Sequence, residues 1–283
     1  MQESDVEAHL DAPGVTLFYR LRGQGPLLAI AQGGAGDADG CEATVKLLAQ
    51  NFRVLTYDRR GLSRSRGEPL AGLGRHADDL AALLEHVGTE PAFVLGVSVG
   101  AMIGLDLLAR HPQRVRTLIA FEPPAAELLP DAQRAHADAL HQTVLRTYRE
   151  QGARPAMLEF LRGLGGDFGD FEPGFEVPTP SPYLGPNYEC LLRQDMLALQ
   201  AYSLDLEALA QRSSQLIAAV GARSVDSLLA GGTGAVLKVG PAMRLAAQLH
   251  APLRVFPGGH GGYATYPRAF SAQLRSLLLA HLA

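Results

Sequence analysis

Apolar residues along this chain follow two rhythms. Val6–Ala12 and Val15–Arg22 alternate apolar with polar side chains across Pro13-Gly14, which predicts two strands of a hairpin. Leu27–Ala31, Phe52–Tyr57, Pro91–Val97 and Val115–Phe121 are short continuous apolar runs, as expected of strands covered on both faces. Between them the spacing becomes helical. Asp39–Gln50 carries Cys41, Val45, Leu48 and Ala49 on one face, and Arg75–Val87 carries Leu80, Leu83, Leu84 and Val87. Val99–Arg110 predicts a further helix that stops before His111-Pro112. Further on, Asp131–Gln151, Pro241–His250 and Pro267–Ala283 read as helices, and Gln215–Val220 and Pro252–Phe256 as strands.

Strand–helix alternation of this kind predicts an α/β fold: a mostly parallel sheet of about eight strands with helices on both faces. The alternation breaks after the sixth strand. Residues 123–186 are rich in Pro, Gly and Phe and carry one clear helix. So long an interruption is expected to be a lid insertion, with residues 1–122 and 187–283 forming the core of a single structural unit.

Composition narrows the classes. A chain of 283 residues that is 47% hydrophobic and 19% charged can bury a sizeable core. The net charge of −4 and the lack of a Lys/Arg run argue against a nucleic-acid partner. Cys41 and Cys190 make no disulfide framework or zinc spacing. The acidic start Met1-Gln2-Glu3-Ser4-Asp5 lacks the apolar segment of a signal peptide. Pro91–Leu105, the longest apolar stretch, is too short to span a bilayer. No membrane association and a cytoplasmic setting are therefore expected; the oligomeric state is left open.

The chemistry is carried by Gly96-Val97-Ser98-Val99-Gly100, which falls where a strand ends and a helix begins. In a G-x-S-x-G elbow the serine occupies a strained turn at the carboxyl edge of the sheet, with its hydroxyl presented and helix N–H groups nearby. The bland alternative is a plain strand–helix junction with glycines for close packing. Gly33-Gly34-Ala35-Gly36 follows another strand. It has two of the glycines of a dinucleotide loop, but Asp39 stands at the third, and that reading leaves the Ser98 elbow without a role. An oxyanion loop, which must bring a backbone N–H close to a nucleophile, accounts for it better. Pro257-Gly258-Gly259-His260-Gly261-Gly262 follows the last strand, so His260 comes to the same sheet edge without an apolar face to join. The remaining histidines fall on helices and strand edges, where a solvated or capping role is expected; His76, at a helix start, could reach the site.

Taken together, Gln32-Gly33-Gly34-Ala35-Gly36, Tyr57-Asp58-Arg59-Arg60-Gly61-Leu62-Ser63-Arg64-Ser65, the Ser98 elbow and His260 resemble the α/β-hydrolase superfamily over nearly the whole chain. The likeness is greatest to lidded, cofactor-free serine hydrolases with Glu-Pro-Pro after the sixth strand. It implies Ser98 as nucleophile, His260 as general base, and the backbone N–H groups of Gly34 and Val99 as oxyanion donors. Two departures stand out. Gln32 replaces the usual His of the first motif. The usual acid position, three residues past Gly221, holds Ser224. The acid is then Glu122, which ends the sixth strand ahead of Pro123-Pro124, or Asp226, five residues past Gly221; the expectation favours Glu122. Ser98 argues against the haloalkane dehalogenases and epoxide hydrolases, which use an Asp nucleophile, and the absence of Trp argues further against the former.

The implied reaction is acyl transfer on a small apolar or neutral ester, thioester or related carbonyl compound, without metal or organic cofactor. Two alternatives share the pocket: a biosynthetic cyclase or lyase, and a ligand-binding protein with a residual triad. Met157, Phe160, Phe168, Phe171, Phe175, Tyr183, Tyr188 and Met196 are expected to pack the lid, several of them lining an apolar pocket. Asp167, Asp170, Glu172 and Glu176 are expected on a solvated face.

Overall fold

A computed structural model describes residues 5–67, 72–166 and 170–282. Strand β1 (Val6–Ala12) pairs antiparallel with β2 (Val15–Arg22), and β2 pairs antiparallel with β4 (Arg53–Tyr57). From there β3 (Leu27–Ala31), β6 (Ala92–Val97), β7 (Val115–Phe121), β8 (Leu216–Gly221) and β9 (Leu253–Phe256) continue in parallel, in the order β1-β2-β4-β3-β6-β7-β8-β9. A two-residue strand β5 (Arg66–Gly67) pairs with β2 beside this path. The apolar runs are the central parallel strands because both of their faces are covered. All six residues of β6 and of β8 are buried.

Helices α1 (Glu42–Leu48) and α12 (Pro267–Ala280) touch each other on one face of the sheet. There Phe270 packs on Phe256 with ring centroids 4.7 Å apart and on Phe121 at 5.7 Å. Helices α2 (Gly74–Val87) and α3 (Val99–Arg110) cover the other face through Leu80, Leu84, Ile103 and Leu107. The chain runs from β3 out to β4 and then returns to β6 on the other side of β3. That reversal opens a crevice beyond the carboxyl ends of β3 and β6, which pair through Ala31 and Gly96.

Between β7 and β8 the chain is far more helical than the sequence pattern predicts. Helix α4 (Asp131–Gln151) agrees with expectation, but α5 (Ala153–Gly163), α6 (Leu184–Cys190), α7 (Met196–Ala201) and α8 (Leu206–Ala210) do not follow from it. Pro155 and Pro186 are each the third residue of their helix. A first-turn N–H has no intrahelical acceptor, so proline costs nothing there. A π-helical turn, Leu191–Asp195, joins α6 to α7, and the expected boundary at 186/187 falls inside α6.

After β8 come α9 (Ala222–Leu229) and α10 (Thr233–Leu249). The expectation that Pro241 opens the second of these is corrected: it lies well inside α10. Proline there removes the bond to the Leu237 carbonyl. Burial of Ala235, Leu237, Val239, Ala242 and Leu245 holds the helix together across the defect. A short α11 (Gly262–Thr265) precedes α12. Among the described residues no helix is long and apolar enough to cross a membrane.

Candidate active site

Strand register assembles the site. Val97 pairs with Phe121, and Phe121 with Ala219, so Ser98 and Glu122 leave neighbouring strands at the same edge. Both extend the ladder by one bond: the Ser98 N–H donates to the Phe121 carbonyl at 2.9 Å, and the Glu122 N–H to the Ala219 carbonyl at 2.9 Å. Both then turn sharply. Ser98 has φ 53° and Glu122 φ 45°, two of only four non-glycine residues with positive φ among those described. Such conformations cost of the order of 1–3 kcal/mol each and persist where the surroundings over-determine them. For Ser98 the cause is visible. Helix α3 starts at Val99 so close to β3 that a Cβ on Gly100 would collide with the Ala31 carbonyl oxygen, and one on Gly96 would lie 2.5 Å from the Gly100 oxygen.

His260, in the loop after β9, donates through Nδ1 to the Glu122 carboxylate oxygen Oε2 at 2.6 Å. The other carboxylate oxygen, Oε1, accepts the Gly221 N–H at 2.9 Å. Glu122 is 1% exposed. Burial by itself pushes its carboxyl up, but the His260 hydrogen bond and charge and the Gly221 N–H hold it below the ordinary range. With Nδ1 committed to the carboxylate, Nε2 is the imidazole nitrogen left for chemistry. Asp226 lies apart: its side chain is 66% exposed and sits 3.7 Å from Arg223. Ser224, at the family's usual acid position, is fully buried.

Ser98, Glu122 and His260 line one cavity of about 710 Å³ together with Gly34 and Val99. No acceptor among the described residues takes the N–H of Gly34 or of Val99, the latter being the first residue of α3. The loop bearing Gly34 is held by Gln32, whose amide nitrogen donates to the Asp37 carbonyl and whose oxygen accepts from Tyr263 at 3.4 Å. Gln32 thus ties the glycine loop to the segment just after His260. Asp58 is spent on the Ala38 N–H at 2.8 Å and on Arg64 at 2.6 Å, so it is no ribose acceptor.

Of the aromatic and Met residues expected in the lid, Met157, Phe160, Tyr188 and Met196 line the cavity. Phe171 and Phe175 stack on each other at 6.0 Å, and Tyr183 lies 5.8 Å from the Arg64 guanidinium. Phe168 and Asp167 lie outside the described residues. Glu172 departs from the expected solvated face: it is buried, takes the N–H groups of Arg268 and Ala269 at 3.0 and 2.9 Å, and pairs with Arg268. Asp170 bonds the Tyr266 hydroxyl, so this acidic stretch clamps the insertion to the C-terminal helix.

His76 is buried and 3.6 Å from Asp195, not in the cavity lining. Asp195, on the π-helical turn, forms a 2.7 Å ion pair with the buried Arg59, which also donates to the Gly34 carbonyl. Burial pushes the Asp195 carboxyl up, yet Arg59 and His76 bring it down to about 2. Among the cavity residues that the sequence reading did not single out are His141 on α4 and Lys238 on α10. Lys238 did carry a signal: it is one of two lysines in the chain and stands alone within the apolar run 234–243.

A nine-stranded sheet with a strained serine at the turn between β6 and α3, facing a histidine–carboxylate pair in one cavity, is the framework of an α/β hydrolase. The chain belongs to the α/β-hydrolase family and is a hydrolase: the family model described as alpha/beta hydrolase fold matches residues 26–161. It is 33% identical over 275 residues to a relative named Uncharacterized hydrolase YraK, of Bacillus subtilis (strain 168), covering 95% of this chain and 94% of that one. Among solved structures, a thermophilic esterase of Thermogutta terrifontis superposes with TM-score 0.69 at 20% identity, with 99% of each chain covered. A carboxylesterase study of Nitrososphaera gargenis supplies another, with TM-score 0.68 at 18% identity, covering 97% of this chain and 99% of that one. At these identities the solved structures speak for the fold.

Proposed function

We propose that the chain is a serine hydrolase of a small carboxylic ester, thioester or related carbonyl compound, working through an acyl-enzyme. The observation that carries this is the 2.6 Å bond between His260 and the buried Glu122 inside the cavity that Ser98 lines. In the reaction, Ser98 Oγ attacks the carbonyl carbon while His260 Nε2 takes its proton. The oxygen that gains charge is received by the Gly34 and Val99 N–H groups, which carry no competing bond. The imidazolium is stabilised by Glu122 and returns its proton to the leaving alcohol or thiol. Water, deprotonated by His260, then releases the acid and restores Ser98.

In this reading residues 123 to about 210 act as a lid, since α4 to α7 supply much of the apolar lining over the strand ends. A fluorophosphonate probe followed by intact-mass measurement tests the assignment. One adduct on Ser98, together with burst release from a p-nitrophenyl ester, is expected. A folded protein that takes no label sinks it. Labelling without turnover moves the assignment to a cyclase, a lyase or a binding protein on the same pocket.

A further inference from the structure

Lys238 is 3% exposed, yet among the described residues its ammonium makes no hydrogen bond and no ion pair. It lies on α10 and lines the cavity that holds Ser98 and His260. An ammonium that lines a largely enclosed cavity without a protein counter-charge is available to a ligand that supplies one. The cavity's own carboxylates do not supply it. Glu122 is committed to His260 and Gly221. Glu127 accepts the Leu204 N–H at 2.8 Å, and both it and Asp138 are exposed. A second polar group lies in the same lining: the His141 Nε2 on α4 is buried without a partner, and α4 touches α10. The lining also includes Arg134, which pairs with Asp131, and Gln200, Tyr188 and Tyr202; Leu164, Leu237 and Met157 add apolar surface.

We propose that Lys238, assisted by His141, is an anion subsite, and that the hydrolysed substrate carries a carboxylate remote from the scissile carbonyl. A charge-assisted bond to an ammonium within this cavity is strong and selects against a neutral isostere, because the uncharged compound leaves Lys238 without a counter-charge. The substrate class is therefore a half-ester of a dicarboxylic acid or an ester of a carboxylate-bearing alcohol. This rests on the serine-hydrolase reading above and names its specificity; Lys238 binds and orients, and takes no part in bond-making.

The test compares kcat/KM within two isosteric pairs. The 4-nitrophenyl half-ester of adipic acid against its terminal-amide analogue places the charge on the acyl side. The 4-carboxyphenyl ester of hexanoic acid against the 4-carbamoylphenyl ester places it on the leaving group. The wild-type protein should prefer the charged member of at least one pair by tenfold or more. That ratio should collapse toward one in Lys238→Met and in Lys238→Gln and survive within a few-fold in Lys238→Arg. No preference in either pair, or a preference that outlasts loss of Lys238, overturns the proposal. If no ester is turned over at all, the serine-hydrolase reading fails separately, and calorimetric binding of adipate decides the subsite. Binding that is lost in Lys238→Met supports it, and no binding to the wild-type protein overturns it. Lys238→Gln serves the same arms if the Met variant does not fold.

Discussion

At the strand ends, Glu122 and His260 hold each other, and Glu122 is further tied to Gly221; on the helices, among the described residues, neither Lys238 nor the His141 Nε2 has a hydrogen-bond partner. The two parts of one cavity are thus built differently. The first is over-determined by sheet register, two strained backbone turns and glycines with no room for a side chain. The second is made by helices on which, among the described residues, Lys238 and the His141 Nε2 have no hydrogen-bond partner. In the proposed mechanism the groups that perform the bond change are held by backbone, which tolerates little displacement. The proposed specificity groups lie on helices that can be altered without dismantling the chemistry.

The sharpest way to break this comparison is Ser98→Ala. It should lower ester turnover by about 10⁴–10⁶-fold while circular dichroism stays native. Retention of more than a few per cent of activity in the folded variant would remove the strand ends from the chemistry. Glu122→Gln comes next, with a loss in kcat of about 10³–10⁴-fold, because an amide orients the wrong imidazole tautomer and cannot stabilise the imidazolium.

A third variant probes the tie between the two parts. Arg59 bonds both Asp195 on the insertion and the Gly34 carbonyl, so Asp195→Asn leaves a buried guanidinium uncompensated. The expected cost at pH 7 is about 3–5 kcal/mol in urea unfolding. The sign with pH follows from the depressed carboxyl. With a folded value of about 2, below the unfolded one, the stabilisation is fully present above the ordinary Asp range and fades as pH falls toward 2. The gap between wild type and variant should therefore narrow in acid; a gap that is constant from pH 7 to pH 3 contradicts the pairing. The smallest effect belongs to Asp226→Asn, which should cost less than about tenfold in kcat, or roughly 1.4 kcal/mol, since its carboxylate faces solvent. A larger loss than in Glu122→Gln would transfer the acid to the loop after β8.

Local pattern sufficed for the sheet. The alternation of Val6–Arg22, the apolar runs at Leu27, Ala92 and Val115 and the elbow at Gly96–Gly100 each appear where a strand or turn is found. It failed at prolines. Pro241 read as a helix start but is carried through by burial within α10, and Pro155 and Pro186 lie in the first turns of helices that the pattern did not predict. In the site, Ser98 and His260 stood out because their glycine-framed contexts are local. His141 did not, because a residue on a helix looks solvated until its neighbours are known; Lys238 stood alone in an apolar run, but the expected helix began only at Pro241.

By itself, then, the chain's order of apolar and polar residues determined which segments become strands, where Ser98 turns and which loops reach one edge, since these depend on neighbours within a few positions. Only the tertiary structure decided that Glu122 rather than Asp226 meets His260, that Arg59 locks onto Asp195, and that the lone lysine of α10 is buried in the cavity. The physical reason is that burial and partner choice are set by residues distant in sequence. Glu122 and His260 are 138 positions apart and Arg59 and Asp195 are 136, and no local periodicity records which of several carboxylates will be the one enclosed.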